Sequence, residues 1–72
     1  MKQHEFTNSS QVNKMRYFPD DKALEIVFKN NKTYRYSGVP ETVYEGAIAA
    51  ESVGKYINAH VKNEFPYLQL PF

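Results

Sequence analysis

The sequence predicts an α+β domain, a three-stranded antiparallel β-meander followed by two short α-helices packed on one face, in the order βββαα. Three observations carry this. The chain has 72 residues, enough for a single core. Its residues are 42% hydrophobic and 15% aromatic, an apolar content that disordered chains lack. And the residue types change near Pro40, from β-branched and aromatic alternation to alanine-rich helical spacing.

Residues 1–9 are polar with one lone phenylalanine, Phe6, and read as a flexible N-terminal arm. Val12, Met15 and Tyr17 in VNKMRYF alternate imperfectly, which fits a first strand containing a bulge. Pro19, Asp20 and Asp21 supply a turn, because proline presets φ and aspartate side chains bond the backbone just downstream. In residues 23–29, Leu24, Ile26 and Phe28 alternate with Glu25, Val27 and Lys29, the most regular strand and the central one. Asn30 and Asn31 mark the next turn, since asparagine tolerates the left-handed conformation. Residues 33–36 form the third strand, ended by Ser37 and Gly38.

The length of that second turn decides where the tyrosines go, because a one-residue slip moves every side chain to the other face. A two-residue loop of Asn30 and Asn31 pairs Phe28 with Thr33 and puts Tyr34 and Tyr36 on the face opposite Leu24, Ile26 and Phe28. A three-residue loop that includes Lys32 sets Phe28 against Tyr34 and Ile26 against Tyr36. The second is preferred, because the first presses Arg35 into the core, where an unpaired charge is very costly.

Pro40 opens the helical half, with Glu41 favourable to the helix dipole. Val43, Tyr44, Ala47 and Ile48 form one apolar stripe, and this helix ends near Ala49 or Ala50. Ser52 is a good N-cap for a second helix whose Val53, Tyr56, Ile57, His60 and Val61 line one face. The tail FPYLQLPF is apolar and broken by Pro66 and Pro71; it lies extended on the body rather than as a third helix.

Several function classes are disfavoured on the same grounds. A domain of this size buries only about 60% of its unfolded surface and leaves little room for a deep substrate cavity. The chain has no cysteine, hence no disulfide, thiolate metal site or cysteine nucleophile, and nothing against the reducing cytosol. Residues 1–10 lack the apolar run of a secretory signal and no stretch approaches a membrane span, so a cytoplasmic protein without membrane contact is expected. His4 and His60 have no metal-site spacing. Ser52, His60 and the carboxylates are joined by no nucleophile motif. Gly54 next to the Ser52 cap fits close backbone packing better than a phosphate cradle. No enzyme activity, cofactor or metal is expected.

The net charge of +1 points to no partner by itself, but its distribution is uneven. Residues 10–38 carry six basic and three acidic side chains, whereas residues 39–72 carry two basic and four acidic ones. With helices on one sheet face, the cations concentrate on the other, where Lys14, Arg16 and Arg35 can meet phosphates. Tyr34 and Tyr36 flank Arg35 and either stack on single-stranded bases or pack against the helices with their hydroxyls at the rim. These five residues are the candidate nucleic-acid site. The sheet edges and the apolar tail provide an alternative from another class, a protein partner bound by strand addition or by the tail.

Leu24-Glu25-Ile26-Val27-Phe28, Tyr34-Arg35-Tyr36, Gly38-Val39-Pro40, Val43-Tyr44 and Ala50-Glu51-Ser52-Val53-Gly54-Lys55-Tyr56 together resemble, in order and spacing, the KTSC domain. That family is named after the C-terminal extension of some lysyl-tRNA synthetases and also occurs as stand-alone bacterial or phage proteins. The resemblance covers residues 10–67 and leaves residues 68–72 as an apolar C-terminal tail. It implies a small non-catalytic binding domain, an RNA-binding module by association with a synthetase. The family's central YxY carries over to Tyr34 and Tyr36, while Asn31 stands in a turn that tends to hold glycine. A monomer, or a weakly associating chain, is expected.

Overall fold

The computed structural model describes residues 1–71. Five strands form one antiparallel sheet in the order β1-β2-β3-β4-β5: β1 is Lys2–Glu5, β2 Val12–Phe18, β3 Ala23–Phe28, β4 Thr33–Ser37 and β5 Tyr67–Leu70. Helices α1 (Glu41–Ala49) and α2 (Val53–His60) lie in sequence between β4 and β5. The α+β class and the two helices are as expected. The strand count is not: five strands replace three, four of them before the helices.

Both extra strands are at the edges, where periodicity is least informative. β1 (KQHE) was expected to be part of a flexible arm, but it pairs with β2 from Lys2↔Tyr17 to Glu5↔Lys14. An edge strand is held by backbone bonds and needs no apolar face, so its polar sequence gives no alternation to read. The chain stays docked beyond it, with the Phe6 amide donating to Asn13 at 2.9 Å and the Phe6 ring packing on the core. β5 spans residues assigned to the tail and runs antiparallel to β4, from Thr33↔Leu70 to Tyr36↔Tyr67. Pro66 and Pro71 bound this strand rather than prevent it, as proline does where its missing N–H falls outside a ladder. Residue 72, the last of the expected tail, lies outside the described residues.

The expected irregularity in β2 is present. Val12 pairs with Phe28 and Lys14 with Val27, so Asn13 is the extra residue. This bulge brings Val12 onto the same side as Met15 and Tyr17, and all three are buried. The β3–β4 turn settles the register. Asn31 adopts φ 67°, and the Phe28 amide donates to Lys32 at 2.9 Å, so the loop is residues 29–31. Leu24 therefore faces Tyr36 and Ile26 faces Tyr34, a register offset by two residues from the preferred expectation. An even offset preserves faces, so the tyrosines do share a face with Leu24 and Ile26, and Arg35 lies on the other. The reason is that Asn31 is the residue able to take the left-handed position, which comes last in a three-residue hairpin loop.

The core sits between this face and the helices. Met15, Tyr17, Leu24, Ile26 and Tyr36 from the sheet meet Tyr44, Ala47, Val53, Ile57 and Val61 from the helical half. The buried Tyr17 hydroxyl donates to the Val39 carbonyl at 2.6 Å, and its ring stacks on Tyr44 with centroids 5.5 Å apart. Such a bond matters because an unpaired buried hydroxyl would cost about 1–3 kcal/mol. Helix α2 is capped as expected, its Ser52 Oγ accepting from the Lys55 amide at 3.3 Å. His60, expected on its apolar face, is exposed; the buried face is made by Val53, Gly54 and Ile57. Among the described residues no helix is long and apolar enough to cross a membrane.

Candidate nucleic-acid interface

The five residues singled out for nucleic acid divide between the two faces of the sheet. Lys14, Arg16 and Arg35 share the face without helices, where the ladder aligns Arg16, Glu25 and Arg35 in one row across β2, β3 and β4. Glu25 is only 8% exposed. A carboxylate so buried needs a partner for each oxygen, and it has two: Arg16 Nη1 donates to Oε1 at 3.1 Å and Arg35 Nη1 to Oε2 at 2.7 Å. Arg35 also reaches Asp21 at 3.5 Å and lies over the Phe18 ring, 5.0 Å from its centroid. Two carboxylates thus balance two guanidiniums, and a phosphate at this row would have to compete with Glu25. Lys14 neighbours Arg16 on the same face, opposite Glu5 in the β1–β2 ladder.

Tyr34 and Tyr36 lie on the helix side. Tyr36 is 1% exposed and forms part of the core; its burial, followed by the neighbouring Tyr34 and Tyr67, raises the hydroxyl above its ordinary value near 10. Tyr34, two residues earlier in the strand and on the same face, is half-buried. Here β5 contributes a residue absent from the sequence-level candidates. Tyr67 stacks on Tyr34 with centroids 5.4 Å apart and ring planes 6° apart, and it remains 58% exposed. Phe28 meets Tyr34 edge-on at 5.6 Å.

Two lysines lie together beside Phe28 and Tyr34. The Lys62 ammonium lies 5.4 Å from the Phe28 centroid, and Lys32 and Lys62 join Phe28, Asn30 and Tyr34 around a cleft of about 110 Å³. Neither lysine takes part in an ion pair among the described residues. The result is an aromatic ledge formed by Tyr34, Tyr67 and Phe28, with two cations beside Phe28 and Tyr34 that have no ion-pair partner among the described residues. Lys62 follows α2 and Lys32 precedes β4, a juxtaposition that appears only once the register is known. The one available sequence signal was the YLQL segment between two prolines, whose pairing with β4 brings Tyr67 beside Tyr34.

A larger cleft of about 450 Å³ opens between the loop of residues 6–11 and the α1–α2 junction. Some of its side chains have partners: Ser9 Oγ accepts from the Gln11 and Val12 amides, Ser52 Oγ caps α2, and the His4 ring lies 4.7 Å from Phe6. Ser52 and His60 are separated by about two turns of helix, roughly 12 Å along the axis. No group of three metal-ligating side chains occurs among the described residues.

The chain is similar to known proteins over most of its length. Residues 8–65 match the model of the KTSC domain family. The chain is 37% identical over 57 residues to a protein of Tsukamurella paurometabola, covering 79% of this chain and 85% of that one. It is 36% identical over 61 residues to a lysine–tRNA ligase of Nostoc, covering 85% of this chain but only 11% of the ligase. The crystal structure of a KTSC domain protein from Yersinia pestis superposes with a TM-score of 0.89 at 30% identity, over 96% of both chains.

Proposed function

The chain belongs to the KTSC domain family, and we propose that it is a small non-catalytic domain that binds single-stranded nucleic acid, RNA first among the candidates, on the ledge of Tyr34, Tyr67 and Phe28. The observation that carries this reading is the parallel Tyr34–Tyr67 stack, with two lysines beside Tyr34 that form no ion pair among the described residues. Exposed ring surface suits stacking by a base, which is worth about 1–3 kcal/mol per base and tolerates any sequence. Lys32 and Lys62, which line one cleft with Phe28 and Tyr34, suit the adjoining phosphates. RNA is favoured over DNA because one relative is by name a lysine–tRNA ligase. Arg16 and Arg35, engaged with Glu25, take the role of holding the sheet together, and Tyr36 supports the ledge from within the core.

Fluorescence anisotropy with a short labelled single-stranded RNA, repeated over a range of salt, tests this. Binding that weakens steeply with salt and is lost on Tyr34→Ala is the expected result. Binding indifferent to salt, or equal in the variant, removes the proposal.

The outer edge of β5 favours a second reading, a protein contact by strand addition. Among the described residues this edge has no neighbouring strand, and its Leu68 is 65% exposed.

A further inference from the structure

The two edges of the sheet differ in kind. β1 carries Lys2, His4 and Glu5 on its four residues, and Lys2 is tied to Glu41 of α1. Charged side chains are the usual protection of an edge against further pairing. β5, Tyr67–Leu70, has no charge at all. Two of its four residues, Tyr67 and Leu68, are, among the described residues, the most exposed large apolar side chains after Met1.

The backbone of β5 is also divided in a way that matters. The Ser37 amide donates to the Pro66 carbonyl at 3.0 Å, which marks Ser37 and Pro66 as a hydrogen-bonded pair. In an antiparallel ladder such pairs alternate, so Leu68 and Leu70 direct their N–H and C=O groups to β4. Tyr67 and Gln69 direct theirs outward, away from the sheet. These are two donors and two acceptors on an uncharged strand bounded by prolines.

We propose that the protein forms a two-fold dimer in which β5 of one copy pairs antiparallel with β5 of a second copy, with Leu68 facing Leu68 across the axis. In this register Tyr67 lies opposite Gln69 of the other copy and the reverse. All four outward groups on each strand are then satisfied, by four hydrogen bonds in total. Centring the pair on Gln69 instead sets Tyr67 against Pro71, which has no N–H to give. No like charges meet at the axis, since the strand has none. A two-fold perpendicular to the sheet keeps both pairs of helices on one side, so the Tyr34–Tyr67 ledges of the two copies flank the axis on the same face. The outer edges of the ten-stranded sheet are the charged β1 strands, which close the assembly. With only four residues a side the contact is small and its dimer weak, populated as concentration rises. This inference stands independently of the nucleic-acid reading.

Sedimentation equilibrium of the full chain, followed from micromolar into millimolar concentration, reads the association directly. The expected result is a mass rising toward twice that of one chain. Leu68→Lys places two like charges at the axis and Gln69→Pro removes an outward donor that the fold itself does not use; each variant stays monomeric over the same range. Amide correlation spectra identify folded variants, so loss of association is counted only for a chain that keeps its native spectrum. If one variant unfolds, the other decides together with an isotope-filtered contact between the Leu68 Hα protons of two differently labelled copies. A chain that remains monomeric at millimolar concentration overturns the proposal. So does a dimer that persists in the folded variants, or one that lacks the Leu68 contact.

Discussion

Tyr67 lies flat against Tyr34, ring centroids 5.4 Å and planes 6° apart, although 33 positions separate them in sequence. This contact exists because β5 returns to β4 after both helices and sets Tyr67 opposite Tyr36, two pairs along the ladder from Tyr34 and on the same face. If the stack is a platform for bases, Tyr67→Ala removes exposed ring surface at little cost to the core. RNA affinity is expected to fall by about 1–3 kcal/mol, roughly 5- to 150-fold, with the melting temperature nearly unchanged. Anisotropy titration and thermal denaturation of the same variant check both halves.

Lysines and arginines are expected to behave differently. Lys32→Gln with Lys62→Gln should lower the slope of log affinity against log salt, because each phosphate contact releases counterions, and should leave stability within about 0.5 kcal/mol.

Arg35→Gln removes the shorter of the two bonds to the buried Glu25. A buried carboxylate that loses a charged partner costs about 1–3 kcal/mol, so this variant should lower the urea midpoint. Combined with Lys14→Gln, it should leave the salt slope unaltered if the ledge is the binding site. A fall in that slope would return the phosphates to the face without helices.

Alkaline pH should unfold the domain. Burial raises the hydroxyl pKa of Tyr17, Tyr36 and Tyr44 above the ordinary 10.0. Above about pH 10 the unfolded chain therefore loses these protons while the folded one keeps them, so it binds fewer protons and stability falls as pH rises. Below pH 10 the three contribute no pH dependence. Denaturant midpoints measured from neutral to alkaline pH should be flat and then decline, with tyrosinate absorbance appearing as the fold is lost. Tyr17→Phe, which also gives up the bond to Val39, should reduce the decline.

Lys22 sits at φ 49° and Asn31 at φ 67°. Side chains other than glycine pay roughly 1–2 kcal/mol in the left-handed region, asparagine less than lysine. Lys22→Gly is expected to raise stability by about 1 kcal/mol and Asn31→Gly by a smaller amount, each read from the denaturant midpoint.

Much of the central fold was legible in local pattern. The β2 bulge, the strand around Leu24 and Ile26, the Asn31 turn and the Ser52 cap all depend on chemistry within a few residues, and the structure has each of them. The placement of Arg35 outside the core followed from the cost of burying a charge, and that argument survived a register error of two residues because such an error preserves the face. The edge strands were not legible. β1 is polar on both faces, and β5 looked like a proline-broken tail because its partner lies more than thirty residues away. The candidate site was drawn from neighbours in sequence. Proximity in sequence grouped Tyr34, Arg35 and Tyr36, whereas the fold groups Tyr34 with Tyr67, Phe28, Lys32 and Lys62, and groups Arg35 with Arg16 and Glu25. Successive strand residues point to opposite faces, so the two rings lie on one side of the strand and the Arg35 guanidinium on the other, as the alternation of the triplet implies.

The most direct test of the central claim is a ¹⁵N-correlation titration with a short single-stranded RNA, at low and then at moderate salt. Salt-sensitive shifts centred on Lys32, Tyr34, Lys62 and Tyr67 are the predicted result. Shifts centred on Lys14, Arg16 and Arg35, or none at low salt, would contradict it.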